Sequence, residues 1–262
     1  MTMKSRVSQV HFIGLYTIVR REVYRFLRIW PQTLLPSVVS AVLYFIIFGD
    51  LMGARIGKIA GVEYMSYIVP GLIMMSIIKS SYSNVVSSFF LAKFQKSIEE
   101  LLVSSLSNQS ILFGFILGGM ARGLLVGVLV SITALFFVDL PIQHPWIVCV
   151  VTIMTALLFS LAGFINAIFA KKFDDISIVP DFILTPLIYL GGIFYSVHLL
   201  PPFWQNITYA NPLFYIVSAF RFGILGCADI DLSFTLSLLF VVNIVLYAIS
   251  LWLLKRGIGI KN

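Results

Sequence analysis

Residues 140–170 read LPIQHPWIVCVVTIMTALLFSLAGFINAIFA, an uncharged run closed by Asp139 on one side and Lys171 on the other. About 20 apolar helical residues cross the ~30 Å hydrocarbon core of a bilayer, so this run holds one membrane-spanning helix. Working outward, comparable uncharged runs lie at 29–49, 101–121, 182–220 and 232–254. A further apolar region, 64–92, is interrupted only by Lys79, and the run from residue 101 continues past Arg122 to Val138. The pattern predicts an all-α membrane protein with six spans, at about 31–52, 65–90, 108–138, 145–170, 176–200 and 232–254. The third exceeds the hydrocarbon thickness and is expected to project into the cytoplasm.

Composition agrees. Of 262 residues only 11% are charged, against about 25% in soluble domains, and 60% belong to the apolar set. That excludes a soluble enzyme, a disulfide scaffold and a disordered chain. The excess of basic residues, +7, reads as topology. With both termini inside, 13 of the 18 Lys and Arg fall in inner segments and three, Arg55, Lys58 and Arg221, in outer ones. A nucleic-acid partner is then unnecessary. The N-terminus lacks a short apolar stretch ending in a small-residue cleavage site, so no cleaved signal peptide is expected.

The run 182–220 is too long for one span. Pro201-Pro202 and Asn211-Pro212 should break it, leaving 203–222 as short outer or re-entrant helices with Trp204, Tyr209, Phe214 and Tyr215 at headgroup depth. Before the first span, Tyr16, Val19, Val23, Phe26 and Trp30 follow a 3,4,3,4 spacing, with Thr17, Arg21, Arg25 and Arg28 opposite. Residues 1–30 therefore read as a cytoplasmic amphipathic helix at the inner leaflet. Between the second and third spans, Phe94, Ile98, Leu101 and Leu102 form an apolar stripe, with Lys93, Gln95, Lys96, Glu99 and Glu100 around the rest of the helix. Such a helix is either a solvated interfacial piece or a docking surface, and periodicity does not choose.

Few residues carry chemistry. Gly53-Ala54-Arg55-Ile56-Gly57-Lys58 has three residues between its glycines instead of four and lacks the following Ser or Thr, so it is rejected as a phosphate loop. His11, His144 and His198 are scattered, and no catalytic or metal constellation is expected. Cys149 and Cys227 are read as structural thiols, with a disulfide conceivable. Gly114, Gly118, Gly119, Gly123 and Gly127 allow close helix approach in the third span. Lys79 and Arg122 lie inside spans, where a charge is costly, and are candidates for an intramembrane polar path. No span has Asp or Glu in its middle, which argues against a proton-driven carrier and moves the energy source to a partner.

With these features in place, the chain resembles the permease subunit of bacterial type-2 ABC transporters. The resemblance rests on the basic N-terminal helix, Glu99-Glu100-Leu101-Leu102, Phe173-Asp174-Asp175-Ile176-Ser177, Leu184-Thr185-Pro186-Leu187, Tyr189-Leu190-Gly191-Gly192, Phe194-Tyr195-Ser196, Leu199-Leu200-Pro201-Pro202, Asn211-Pro212 and Phe220-Arg221. Ala219 before the last pair and Ser104-Ser105-Leu106 after the Glu pair depart from the family pattern. The resemblance implies a transmembrane domain at 31–254 between the connecting helix and a cytoplasmic tail, 255–262. It implies a homodimer paired with separate ATPase subunits, ATP bound only by that partner and no cofactor in this chain. It makes 94–102 a coupling helix, with Phe94, Gln95, Ile98, Glu99 and Glu100 at the ATPase, and it implies export across the bacterial inner membrane. The competing classes are a gradient-driven secondary transporter or channel and a structural assembly factor. The substrate is not legible: lipids, lipid-linked saccharides and amphiphilic drugs all suit such spans.

Overall fold

The computed structural model describes residues 3–59, 61–226 and 230–259. Cys227, and with it the question of its pairing with Cys149, lies outside the described residues. Helices dominate. α1 (Met3–Arg28) turns through α2 (Trp30–Thr33) into α3 (Leu35–Tyr44), which widens into a π-helical segment (Phe45–Leu51) and ends in α4 (Met52–Ile56). A small antiparallel hairpin, β1 (Lys58–Ile59) with β2 (Val62–Glu63), leads into α5 (Tyr64–Phe94), the longest helix at 31 residues. The short α6 (Ser97–Val103) precedes α7 (Asn108–Ala134) and α8 (Pro145–Phe169). A broken segment follows: α9 (Asp175–Ile178), a π-helical turn (Val179–Leu184) and α10 (Thr185–Tyr189). Two short helices, α11 (Pro202–Ala210) and α12 (Pro212–Leu225), lead to α13 (Leu232–Arg256).

Local chemistry sets these boundaries. Pro145, Pro202 and Pro212 open their helices, where a missing N–H and a fixed φ cost nothing. Side chains of Ser107, Asn211 and Asp231 cap α7, α12 and α13 by accepting from the amides of Ser110, Leu213 and Ser233. Gly226 and Gly257 close α12 and α13 in the left-handed conformation.

Among the described residues, four helical stretches are long and apolar enough to cross a membrane: Trp30–Gly49, Asn108–Ala134, Pro145–Phe169 and Leu232–Arg256. The second expected span, 65–90, falls within α5, whose Lys79 and serines make it less apolar. The fifth, 176–200, is corrected: the helical run ends at Tyr189 and is itself broken. Pro180 removes an amide from the ladder and the helix widens there, the Pro180 carbonyl accepting both the Thr185 amide, five residues on, and the Thr185 hydroxyl at 2.9 Å. Beyond Tyr189 the chain turns through Gly192, at φ +69.

The core is α5 packed between α7 and α8. Gly119, Gly123 and Gly127 of α7 face Val85, Ser81 and Ile77 of α5, so the two run antiparallel with backbones close enough that an added Cβ would meet a neighbour within 2.7 Å at each position. Gly163 of α8 lies against the Tyr82 carbonyl, where a Cβ would sit at 2.6 Å. The opposite edge of α7 receives α1, with Gly114 against Ile18 and Gly118 against Glu22, and these two helices run parallel. That contact sets which side of α1 is enclosed by protein. Ile18, Glu22 and Phe26 are buried, whereas Tyr16 and Trp30, placed on the apolar face by their spacing, are exposed. The packing follows the small residues of α7, not the apolar stripe of α1.

Candidate translocation groove and coupling elements

From Tyr67 to Phe90 every residue of α5 is buried except Ser76, Lys79, Ser83 and Ser87. The 3,4,4 spacing puts these four on one face, an open polar stripe on an otherwise enclosed helix. Ser76 and Ser87 donate to carbonyls of the preceding turn, Leu72 and Ser83, at 2.9 and 2.7 Å, which leaves their oxygens free to accept from the groove side. Two cavities flank the stripe and share Lys79. One, of about 190 Å³, is bounded by Ser37, Ser40 and Tyr44 of α3; the other, of about 330 Å³, by Ser177, Asp181 and Thr185 of the broken segment. Together they form a polar groove between α3, α5 and α9–α10. The sequence reading singled out Lys79 but not the serines, although their register with Lys79 was there to be found.

One end of the groove is closed by aromatic rings. Tyr44 and Phe48 pack on Phe194, at 6.0 and 4.9 Å between centroids, and Tyr189 stacks on Phe194 at 5.8 Å. The Tyr44 and Tyr189 hydroxyls meet at 3.2 Å, joining α3 to α10 across the groove. Behind this plug stands Arg221, which the sequence placed among outer basic residues. It is 1% exposed. Its guanidinium lies 3.8 Å from the Tyr67 ring centre, donates to the Tyr67 carbonyl and hydroxyl at 3.2 and 2.9 Å, and reaches the Gly192 carbonyl at 2.7 Å. Asn211 adds a bond to the Leu187 carbonyl at 2.6 Å. The α11–α12 unit is thereby fastened to α5 and to the turn carrying the aromatic plug.

Arg122 lies elsewhere. Its Nη2 donates to the Thr33 carbonyl at 2.9 Å while the Thr33 hydroxyl donates to the Phe26 carbonyl at 2.8 Å, so it holds the corner where α1 becomes α3. It lines neither groove cavity. The two charged residues paired in the sequence reading thus occupy separate sites.

At the far end of α5 the stretch 94–102, expected as one continuous helix, is two pieces. Phe94 ends α5, Gln95 and Lys96 form a hinge, and Lys96 takes a left-handed conformation (φ 61) that breaks the helix before α6 starts. Ile98 is buried and anchors α6, while Gln95, Glu99 and Glu100 are exposed. Phe94 is exposed yet packs edge-on to Phe173 at 5.0 Å. Lys93 braces the hinge by donating to the Ile168 and Ala170 carbonyls at 2.6 and 2.7 Å, at the C-terminal end of α8 where a cation is favoured. In the loop that follows, Asp175 accepts from the Lys171 and Lys172 amides at 2.8 and 3.0 Å, and these bonds hold its carboxyl below the usual carboxylate range.

Between α1 and α5 lies a polar clasp the sequence did not disclose. Glu22 is 1% exposed, accepts from Ser88 and pairs with Arg21 and Arg25, each at 3.3 Å; Arg25 in turn donates to the Asn84 side chain at 3.0 Å. Asn84 and Ser88 stand on α5 beside the groove serines Ser83 and Ser87 but face away from the groove.

Residues 14–225 match the ABC-2 type transporter family. The chain belongs to that family. The inner membrane transport permease YadH of Escherichia coli (strain K12) is 52% identical over 98% of this chain and 100% of its own length. Nodulation protein J of Neorhizobium galegae is 23% identical over 90% of this chain and 91% of its own, and that of Rhizobium leguminosarum bv. viciae is also 23% identical, over 87% and 90%. As an ABC-2 permease subunit the chain is a multi-pass helical membrane transport protein.

Proposed function

We propose that the groove along Ser76, Lys79, Ser83 and Ser87 is one half of an export pathway, completed by a second copy and driven by separate ATPase subunits at α6. The open polar stripe on an otherwise buried helix carries this reading. Exposed apolar side chains of α3 and of the broken segment, among them Val39, Leu43, Phe182 and Ile183, flank the groove and supply a surface for the second copy. In this reading α5 and the stretch 176–200, continuously helical as far as Tyr189 and turning through Gly192 beyond it, cross the bilayer with the four apolar stretches, giving six crossings with both termini cytoplasmic. The relative named as an inner membrane permease supports placement in the bacterial inner membrane. ATP binding would draw the ATPase subunits together, moving α6, α1 and the end of α5 and opening the aromatic plug. The transmembrane domain is then 31–254, with 1–30 as connecting helix and 255–262 as tail.

Co-purification from native membranes tests the coupling: an ATPase accompanies the wild-type chain and is lost with Glu99→Arg plus Glu100→Arg. An ATPase retained by that variant removes Glu99 and Glu100 from the interface. The gradient-driven alternative draws on Lys79 and Asp181 lining one cavity. Abolishing ATP hydrolysis in the partner stops transport under the first reading, whereas a protonophore alone stops it under the second.

A further inference from the structure

Beyond the groove, a cavity of about 570 Å³ opens between α1 and the hinge end of α5, lined by Arg21, Glu22, Arg25, Arg28, Ser88 and Ser97, among others. We propose that it binds the phosphate group of an anionic phospholipid of the inner leaflet and thereby ties α1 to the α5–α6 hinge. Three guanidiniums against one carboxylate leave the lining with two net positive charges; Glu22 is engaged by Ser88, Arg21 and Arg25, and Arg28 stands outside those pairs. The Arg21 and Arg25 side chains, each paired with Glu22, remain 47% and 28% exposed, and the five N–H groups of a guanidinium leave each with donors beyond that pair.

Depth points to a lipid. Arg28 is the last charge before the uncharged run 29–49, and on α5 the cavity spans the change from uncharged residues 80–92 to Lys93 and Lys96. Both walls therefore meet the cavity where the chain passes from charged to apolar sequence, the level of headgroups. Tyr24, Leu27, Ile29 and Trp30 are exposed beside it, where acyl chains would run. The volume falls in the range of small-molecule sites and suits a headgroup, not a protein segment. Basic pockets between helices on the cytoplasmic side bind phosphate headgroups in this way.

The leaflet rests on the orientation proposed above; retention in detergent does not, so the two fail separately. Native mass spectrometry of the full-length chain, purified in detergent with phosphatidylglycerol or phosphatidylcholine, should show phosphatidylglycerol retained preferentially. Arg21→Gln plus Arg28→Gln should reduce retention about thirtyfold. Lys255→Gln plus Arg256→Gln, at the end of α13, should leave it unchanged. Should the first pair fail to fold, Arg28→Glu alone carries the test, because that side chain is exposed at the cavity mouth. Equal loss from both pairs, or no preference over phosphatidylcholine, overturns the proposal. Complete displacement by inorganic phosphate assigns the cavity to a free anion, and expulsion of lipid on binding the ATPase assigns it to that partner; either result also overturns it.

Discussion

Glu22 illustrates what one residue's surroundings decide. In sequence it is one acidic residue among five arginines on an amphipathic helix; in the fold Gly118 admits its Cβ, Ser88 and Arg25 hold one carboxylate oxygen, and Arg21 holds the other at 3.3 Å. Its arginine partners stay partly exposed, so Glu22→Ala should lower stability by about 1–2 kcal/mol through loss of the buried Ser88 bond and the pairing, read as a drop in the thermal midpoint in detergent. Glu22→Gln, which can still accept from Ser88, should lose less. Lys79 is the opposite case, a half-buried cation in an open groove. Lys79→Met should leave the melting midpoint within about 0.5 kcal/mol of wild type while sharply reducing transport, measured once a substrate is in hand. Lys79 was legible because a charge inside an apolar run is conspicuous; Ser76, Ser83 and Ser87 were hidden among the other serines of α5, and burial alone separates them.

Among elements, the hinge between α5 and α6 makes the sharpest demand on the backbone. Lys96 is the one described non-glycine residue with positive φ, and an L side chain there costs about 1 kcal/mol that glycine does not incur. Lys96→Gly should therefore preserve ATPase association and Lys96→Val should abolish it, in the same co-purification. α6 reads as part of one stripe from Phe94 because helical periodicity continues across the hinge; no spacing rule marks a left-handed lysine. The same limit explains 176–200. The breaks were expected at Pro201-Pro202 and Asn211-Pro212, whereas a π-helical turn takes in Pro180 without ending the helix and the stop comes earlier, at Gly191-Gly192. In the loop before that segment, Asp175 has a depressed pKa, so its contribution is present above the ordinary carboxylate range and is lost as pH falls through the lowered value. Asp175→Asn should flatten the acid limb of the stability profile, measured by thermal unfolding between pH 3 and pH 7.

At the scale of the whole molecule, composition and charge-free runs were enough to identify a helical membrane protein, because the bilayer restricts which sequences can enter it. The packing order was not legible. It depends on which glycine edge meets which helix, and α7 offers Gly114 and Gly118 to α1 but Gly119, Gly123 and Gly127 to α5. Replacing Gly163, whose neighbour is the Tyr82 backbone, should disturb the α5–α8 contact: Gly163→Ala is expected to cost about 1–3 kcal/mol in thermal unfolding, since a carbonyl cannot rotate away as a side chain can. The length of α5 has a mechanical consequence. Its 31 residues extend about 46 Å, so it is a lever longer than the apolar slab is thick. A tilt of about 5° pivoting at the hinge end swings the opposite end by about 4 Å, comparable to the width of one aromatic ring stack. Arg221 bonds the Tyr67 end of α5 to the Gly192 turn, so under the proposed export reading such a swing would carry that turn, and Phe194 beyond it, along with the helix.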